Sequence, residues 1–145
     1  VTRRVVPAMI AAGVGRIVSV SSISAQRGGG TYSKVPYSAS KAALLAVVRG
    51  LAVGLARHRI RVNALLPGWT MTDLASDAYE DKRFRTVTTK RTPVRRWAQP
   101  EEMVPAARFL ADPGALFHTG DCVVVDMAVS SEKIAIAMPT VVCSR

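Results

Sequence analysis

Gly15-Arg16-Ile17-Val18-Ser19-Val20-Ser21-Ser22 and Ile60-Arg61-Val62-Asn63-Ala64-Leu65-Leu66-Pro67-Gly68 are two short apolar runs separated by a long stretch with helical spacing. In the first, residues 16–21 are rich in β-branched side chains and follow a glycine, which predicts a strand. In the second, residues 60–66 predict another strand, closed by Pro67-Gly68. Between them residues 37–57 predict a helix. Leu44, Val47, Val48, Leu51 and Leu55 recur at three- and four-residue spacing and mark one buried face. Ala39, Ala42, Ala43, Ala46, Gly50 and Gly54 keep much of the remaining surface small, open to close approach by a sheet or a second helix. A strand, a long helix and a second strand make a parallel pair with a right-handed crossover, hence an α/β fold. The connections leaving the carboxyl ends of both strands, after Ser22 and after Gly68, then open on the same edge. In open α/β sheets that edge binds ligands.

Working outward, residues 1–12 read as the end of a helix stopped by Gly13 and Gly15. Residues 22–36 read as a loop holding Gly28-Gly29-Gly30, with Pro36 leading into the helix. Residues 72–94 are polar, basic and poorly periodic, and are expected to form a solvated or substrate-facing loop. Pro100-Glu101-Glu102 opens a further helix, its proline and acids suited to the positive end. Residues 122–126 read as a last short strand.

The 145 residues suffice for one domain with a real core, and 49% hydrophobic against 21% charged residues argue against disorder. The net charge of +10 favours an anionic partner. The basic run from Lys82 to Arg96 lacks the interleaved aromatics and motif of a nucleic-acid binder, so no nucleic acid is expected. Cys122 and Cys143 are too few for a disulfide framework, and His58 and His118 lack metal-ligand spacing, so no metal is expected. The longest apolar stretch, 42–56, is interrupted by Arg49 and too short to span a bilayer, and the N-terminus does not read as a signal peptide. A cytoplasmic location without membrane attachment is therefore expected.

Tyr37 and Lys41 are four residues apart at the start of the helix, so they share one face. A phenol is a poor base at neutral pH, but a lysine cation within a few ångströms favours the phenolate. Such a tyrosine can give or take a hydroxyl proton. Ser22, delivered by the neighbouring strand end, is placed to hydrogen-bond a carbonyl or alcohol oxygen. Taken alone, a Tyr-x-x-x-Lys pair is usually a pair of surface neighbours. Here it stands in a longer pattern.

The two quoted strands flank Tyr37-Ser38-Ala39-Ser40-Lys41-Ala42-Ala43-Leu44. They are followed by Arg91-Thr92-Pro93, Gln99-Pro100-Glu101-Glu102, Phe109-Leu110-Ala111 and Thr119-Gly120. In this order and spacing the motifs resemble the second half of a short-chain dehydrogenase/reductase, over residues 1 to about 126. The resemblance implies the C-terminal part of a doubly wound, Rossmann-like parallel sheet over 1–126, leaving 127–145 as an atypical tail. It implies an NAD(P)-dependent interconversion of an alcohol with a ketone or aldehyde, and makes Ser22 the substrate-orienting serine and Tyr37 the acid/base. Lys41 would tune the tyrosine and hold the nicotinamide ribose. Pro67 and Gly68 would pack on the nicotinamide, and Thr70 and Thr72 would reach its amide or the pyrophosphate. Ser24 would give a shorter interval to Tyr37; Ser22 is preferred because it closes the strand motif.

The glycine-rich strand-turn-helix with which the family cradles the dinucleotide phosphates does not occur in these 145 residues. Gly28-Gly29-Gly30 is no substitute, since no helix of suitable pattern follows it directly. Asp126 is followed by Met127-Ala128 where the family carries Gly-Gly. The chain is accordingly expected to be a fragment, inactive alone, with NAD or NADP not distinguished. The alternative is a catalytically inactive remnant that at most pairs with a partner chain. A homo-oligomer through the 37–57 helix is expected once the fold is completed.

Overall fold

The computed structural model of the chain describes residues 1–28 and 35–126; the tail, with Cys143, and Gly29-Gly30 lie outside the described residues. Helix α1 spans Thr2–Ala12 and ends at Gly13, whose φ of 65° closes the cap through N–H bonds to Ile10 and Met9. Gly15 does not stop this helix; it opens β1, Gly15–Val20. After one helical turn, α2 (Ser24–Arg27), the long helix α3 runs Val35–Leu55 and passes through a 3₁₀ turn at Ala56–His58 into β2, Ile60–Pro67. Two short helices follow, α4 (Ser76–Glu80) and α5 (Lys82–Arg91), then α6 (Val104–Ala111) and β3 (Cys122–Val125).

The three strands form one parallel sheet in the order β1-β2-β3, with Gly15 beside Ile60, Val20 beside Leu65, Ala64 beside Cys122 and Pro67 beside Val125. The βαβ reading from sequence is thereby met. Central strand β2 is buried at every position from Val62 to Leu66, as expected where both faces are covered. Side chains alternate along a strand, so Ile60, Val62, Ala64 and Leu66 share one face, and Leu45, Val48 and Ala52 of α3 pack on it together with Cys122. Each large aliphatic side chain buried there contributes about 1.5–3 kcal/mol. On the opposite face Asn63, 1% exposed, donates to His118 O at 3.1 Å and accepts from Asp121 N at 3.1 Å, pinning the approach to β3.

Further sequence expectations need correction. The buried face of α3 is Ser38, Leu45, Val48 and Ala52, with Leu51 and Leu55 at its margin, whereas Val47 is 53% exposed and Val53 82%. A helix apolar around most of its girth carries no phase in its sequence; the sheet face sets it. Val35–His58, 24 residues, is also long and apolar enough to cross a membrane by length and composition alone, which the 42–56 count missed. Second, the stretch after Ser22 is helical over Ser24–Arg27, not loop throughout.

Third, residues 72–94 are largely helical. Asp81 caps α5 by accepting from Phe84 N at 3.0 Å, and Thr88 bonds back to Phe84 O. The segment closes over an aromatic group in which Trp69 stacks on Trp97 at 4.8 Å and meets Phe84 edge-on at 5.0 Å. Trp97, 3% exposed, donates Nε1–H to Thr88 Oγ1 at 2.9 Å.

The helix expected at Pro100 begins as a 3₁₀ turn, Pro100–Met103, and is secured by Arg96, whose two Nη atoms bond the Glu102 carboxylate at 2.6 and 2.7 Å. Those bonds, with one from Gln99 N–H, hold the Glu102 carboxyl at about 2, down from 4.5. A carboxyl depressed in the folded chain contributes stability that is complete above its unfolded value and is lost as pH falls toward the folded one. Thermal melts should therefore show a loss between pH 4.5 and about 2 that Arg96→Leu flattens. An unchanged acid limb in that variant would remove the pair from the stability account.

Candidate active site

The carboxyl ends of β1 and β2 meet as expected. Ser21 N donates to Leu65 O at 2.8 Å and Ile23 N to Pro67 O at 3.1 Å, so the turn after β1 lies against Pro67-Gly68. The three serines of this turn divide by what their hydroxyls touch. Ser21 is buried and donates to Lys41 O at 2.9 Å, tying the strand end to α3. Ser24, also buried, donates to Ser22 Oγ at 2.9 Å, and Ser24 N adds a bond to the same oxygen at 3.2 Å. The half-buried Ser22 hydroxyl accepts both, so its own proton is left to donate elsewhere.

Tyr37, 37% exposed, sits in the first turn of α3, and Lys41 one turn on. The Lys41 ammonium lies 5.6 Å from the centre of the Tyr37 ring and donates to Val20 O at 3.1 Å. Lysine thus bridges the tyrosine to the end of β1. Among the described residues the Ser22 hydroxyl is engaged by Ser24 and not by Tyr37.

Gly68 N donates to Val125 O at 2.9 Å, closing the β2 end against β3. The Thr70 hydroxyl is turned back onto Gly68 O at 3.1 Å, and Thr72 is exposed ahead of the 3₁₀ turn Asp73–Ala75. Trp69 packs under the α4–α5 segment and borders an open depression with Gly68, Thr92, Arg96 and Asp126. Ser22, Tyr37 and Lys41 do not line that depression.

One feature of this edge escaped the sequence reading. Asp126, immediately after β3, has a side chain only 4% exposed and is paired at 3.1 Å with Arg27 of α2, whose side chain is 45% exposed. Arg27 follows Ser22 by five residues and Asp126 ends a strand; parallel topology alone could have brought them to one edge.

A family model described as enoyl-(acyl carrier protein) reductase matches residues 1–130. The chain belongs to the short-chain dehydrogenase/reductase family. A 5-keto-D-gluconate 5-reductase of Escherichia coli is 36% identical over 126 residues, 87% of this chain and 49% of its own. A gluconate 5-dehydrogenase of Gluconobacter oxydans is 35% identical over 118 residues, covering 81% and 45%. The crystal structure of a gluconate 5-dehydrogenase from Burkholderia cenocepacia, in complex with NADP and tartrate, is similar with a TM-score of 0.81 and 33% identity, covering 87% of this chain and 49% of that one. The parallel sheet and its helices are therefore part of a short-chain dehydrogenase/reductase Rossmann fold. The chain spans about half the length of the curated relatives it matches.

Proposed function

We propose that the sheet edge formed by Ser22, Tyr37 and Lys41 is the proton-transfer site of an NAD(P)-dependent oxidoreductase that interconverts an alcohol and a carbonyl. The observation that carries the reading is the placement of Lys41, 5.6 Å from the Tyr37 ring and tethered to Val20 O. Such a tether fixes a cation beside a phenol at the edge where an α/β sheet takes its ligand. Residues 1–126 then act as the nicotinamide-side part of the domain.

The donor set suits the nicotinamide and ribose end of NAD or NADP, with Lys41 and Tyr37 toward the ribose and Pro67, Gly68, Thr70 and Thr72 toward the ring and its amide. When bound, that cofactor supplies or accepts the hydride. Ser22 donates its hydroxyl proton to the substrate oxygen, Tyr37 passes a proton to that oxygen in reduction and takes it back in oxidation, and Lys41 stabilises the phenolate so formed. Relatives named for keto-gluconate and gluconate make polyhydroxylated substrates the first to test. Location in a reducing cytoplasm accords with this chemistry.

A second reading, a chain that serves only as a pairing partner, draws on the exposed side of α3. Ala43, Ala46, Val47, Gly50 and Val53 stand exposed there and suit close helix packing. Fluorescence titration of the 145-residue chain with NADH and NADPH separates the two. Saturable binding in the micromolar-to-millimolar range usual for enzyme substrates supports the oxidoreductase. Absence of binding at millimolar cofactor leaves the pairing role in its place.

A further inference from the structure

The turn between β1 and α3 carries three serines, Ser21, Ser22 and Ser24, and the proton transfer proposed above uses only Ser22. Ser24 is 6% exposed, and a hydroxyl taken so far out of water needs a partner. Among the described residues that partner is Ser22 Oγ, at 2.9 Å. The Ser24 backbone N–H reaches the same oxygen at 3.2 Å. The short helix α2 seats this residue: Gly28 N donates to Ser24 O at 3.0 Å, and Ile23 N, one residue before it, donates to Pro67 O at 3.1 Å.

A serine hydroxyl has one proton and two lone pairs. The Ser24 N–H occupies one lone pair of Ser22 Oγ. Distance alone leaves the direction of the hydroxyl–hydroxyl bond open, and burial decides it. Were Ser22 the donor, the Ser24 proton would lie in the interior without an acceptor, at the full desolvation cost of an O–H group. The half-buried Ser22 can send its own proton to the open edge. Ser24 therefore donates, and both lone pairs of Ser22 are filled.

We infer that Ser24 is a positioning residue that makes Ser22 a one-way hydrogen-bond donor to the oxygen of the bound carbonyl or alcohol. The inference rests on the reading of this edge as an alcohol/carbonyl site and adds a residue to it. With no lone pair to spare, Ser22 cannot take up a proton itself, so proton exchange falls to Tyr37. An oxygen gaining negative charge then meets a donor already turned outward, with no reorientation to perform during the reaction. The competing account is turn chemistry: Ser22 accepts the N–H two residues on merely to open a helical turn, and Ser24 only fills space.

The test uses Ser22→Ala, Ser24→Ala and the double variant. Thermal melts of the 145-residue chain read the direction of the bond. Ser22→Ala takes the acceptor from both Ser24 donors and should lower the melting temperature by roughly 5 °C. Ser24→Ala removes the buried hydroxyl together with its need for a partner and should cost less than half of that. The double variant should melt above Ser22→Ala. Turnover is followed by cofactor absorbance with 5-keto-gluconate, in the chain alone or joined to the cofactor half of a relative. Ser24→Ala should lower kcat by about tenfold, the effect of one misdirected hydrogen bond, with KM for NAD(P)H unchanged. In the Ser22→Ala background it should lower kcat no further, because a residue that acts through Ser22 then has nothing to act on. A packing role would slow both backgrounds alike. Undiminished kcat in Ser24→Ala, equal losses in both backgrounds, or a Ser24→Ala chain that melts as low as Ser22→Ala overturns the positioning role. The two readings fail separately. Tyr37-dependent turnover indifferent to Ser24→Ala sinks the positioning role alone. Turnover indifferent to Tyr37→Phe, or absent from the parent in both preparations, sinks the oxidoreductase reading and takes the positioning role with it.

Discussion

Tyr37→Phe is expected to cut turnover by roughly two to four orders of magnitude, the usual contribution of a positioned acid/base group. The sample is any preparation that oxidises NAD(P)H, either the chain alone or the chain joined to the cofactor half of a relative, followed by cofactor absorbance with 5-keto-gluconate. Phenylalanine keeps the ring beside which the Lys41 ammonium lies at 5.6 Å, and that contact does not depend on the hydroxyl. Lys41 also keeps its bond to Val20 O, and Ser21 keeps its bond to Lys41 O, so the joint between β1 and α3 is intact. The change therefore removes one proton-transferring atom from an otherwise unaltered edge. Melting temperature should stay at the parent's value while kcat collapses. Activity above a tenth of the parent would show that another group moves the proton, and Ser22 would be the next to replace.

The parts of this fold that were legible in the sequence are those with local causes. Strands β1 and β2 are short, apolar and β-branched, the length of the crossover forces them parallel, and the four-residue interval puts Tyr37 and Lys41 on one face. Three things were not local. The phase of α3 is set by the row Ile60, Val62, Ala64 and Leu66 beneath it, which selects Leu45, Val48 and Ala52 from a helix with apolar residues on several sides. The helices α4 and α5 are held by Trp97, which lies beyond them in the chain and bonds Thr88 across the turn at Thr92. Their own charged residues gave no period to read. The Arg27–Asp126 pair joins the first and third strand ends, so neither residue signals it alone. Between Ser22 and Ser24 the sequence preferred Ser22, which closes the strand motif; in the structure Ser24 donates to Ser22, which leaves the Ser22 proton for the proposed role.

Gly68→Ala should be the most damaging single-methyl change on this edge. The reason is room, not backbone conformation. An alanine Cβ would sit 2.1 Å from Asp126 Oδ1, 2.7 Å from its Cγ and 2.9 Å from its Cβ, separations that real side chains do not tolerate. Asp126 has little freedom to yield, being 4% exposed and paired with Arg27 at 3.1 Å, while Gly68 itself is fixed by its bond to Val125 O. Forcing a methyl into a filled site costs about 1–3 kcal/mol, and a displaced buried ion pair adds to that. A loss of about 3 kcal/mol follows, and a melting temperature lower by roughly 10 °C for a chain of this size. Adding Asp126→Gly to Gly68→Ala removes every obstructing side-chain atom, the Cβ at 2.9 Å included, and leaves Arg27 half in solvent, so the double variant should be more stable than Gly68→Ala alone. That sign of coupling marks a direct clash; a Gly68→Ala chain within about 0.5 kcal/mol of the parent would deny it. The same pair of variants also divides the two reasons for a glycine here. If Asp126 alone demands it, the double variant recovers NADH binding together with stability. If the proposed nicotinamide also packs on Gly68, stability returns and NADH affinity does not, because the added methyl still faces the ring after the carboxylate has gone.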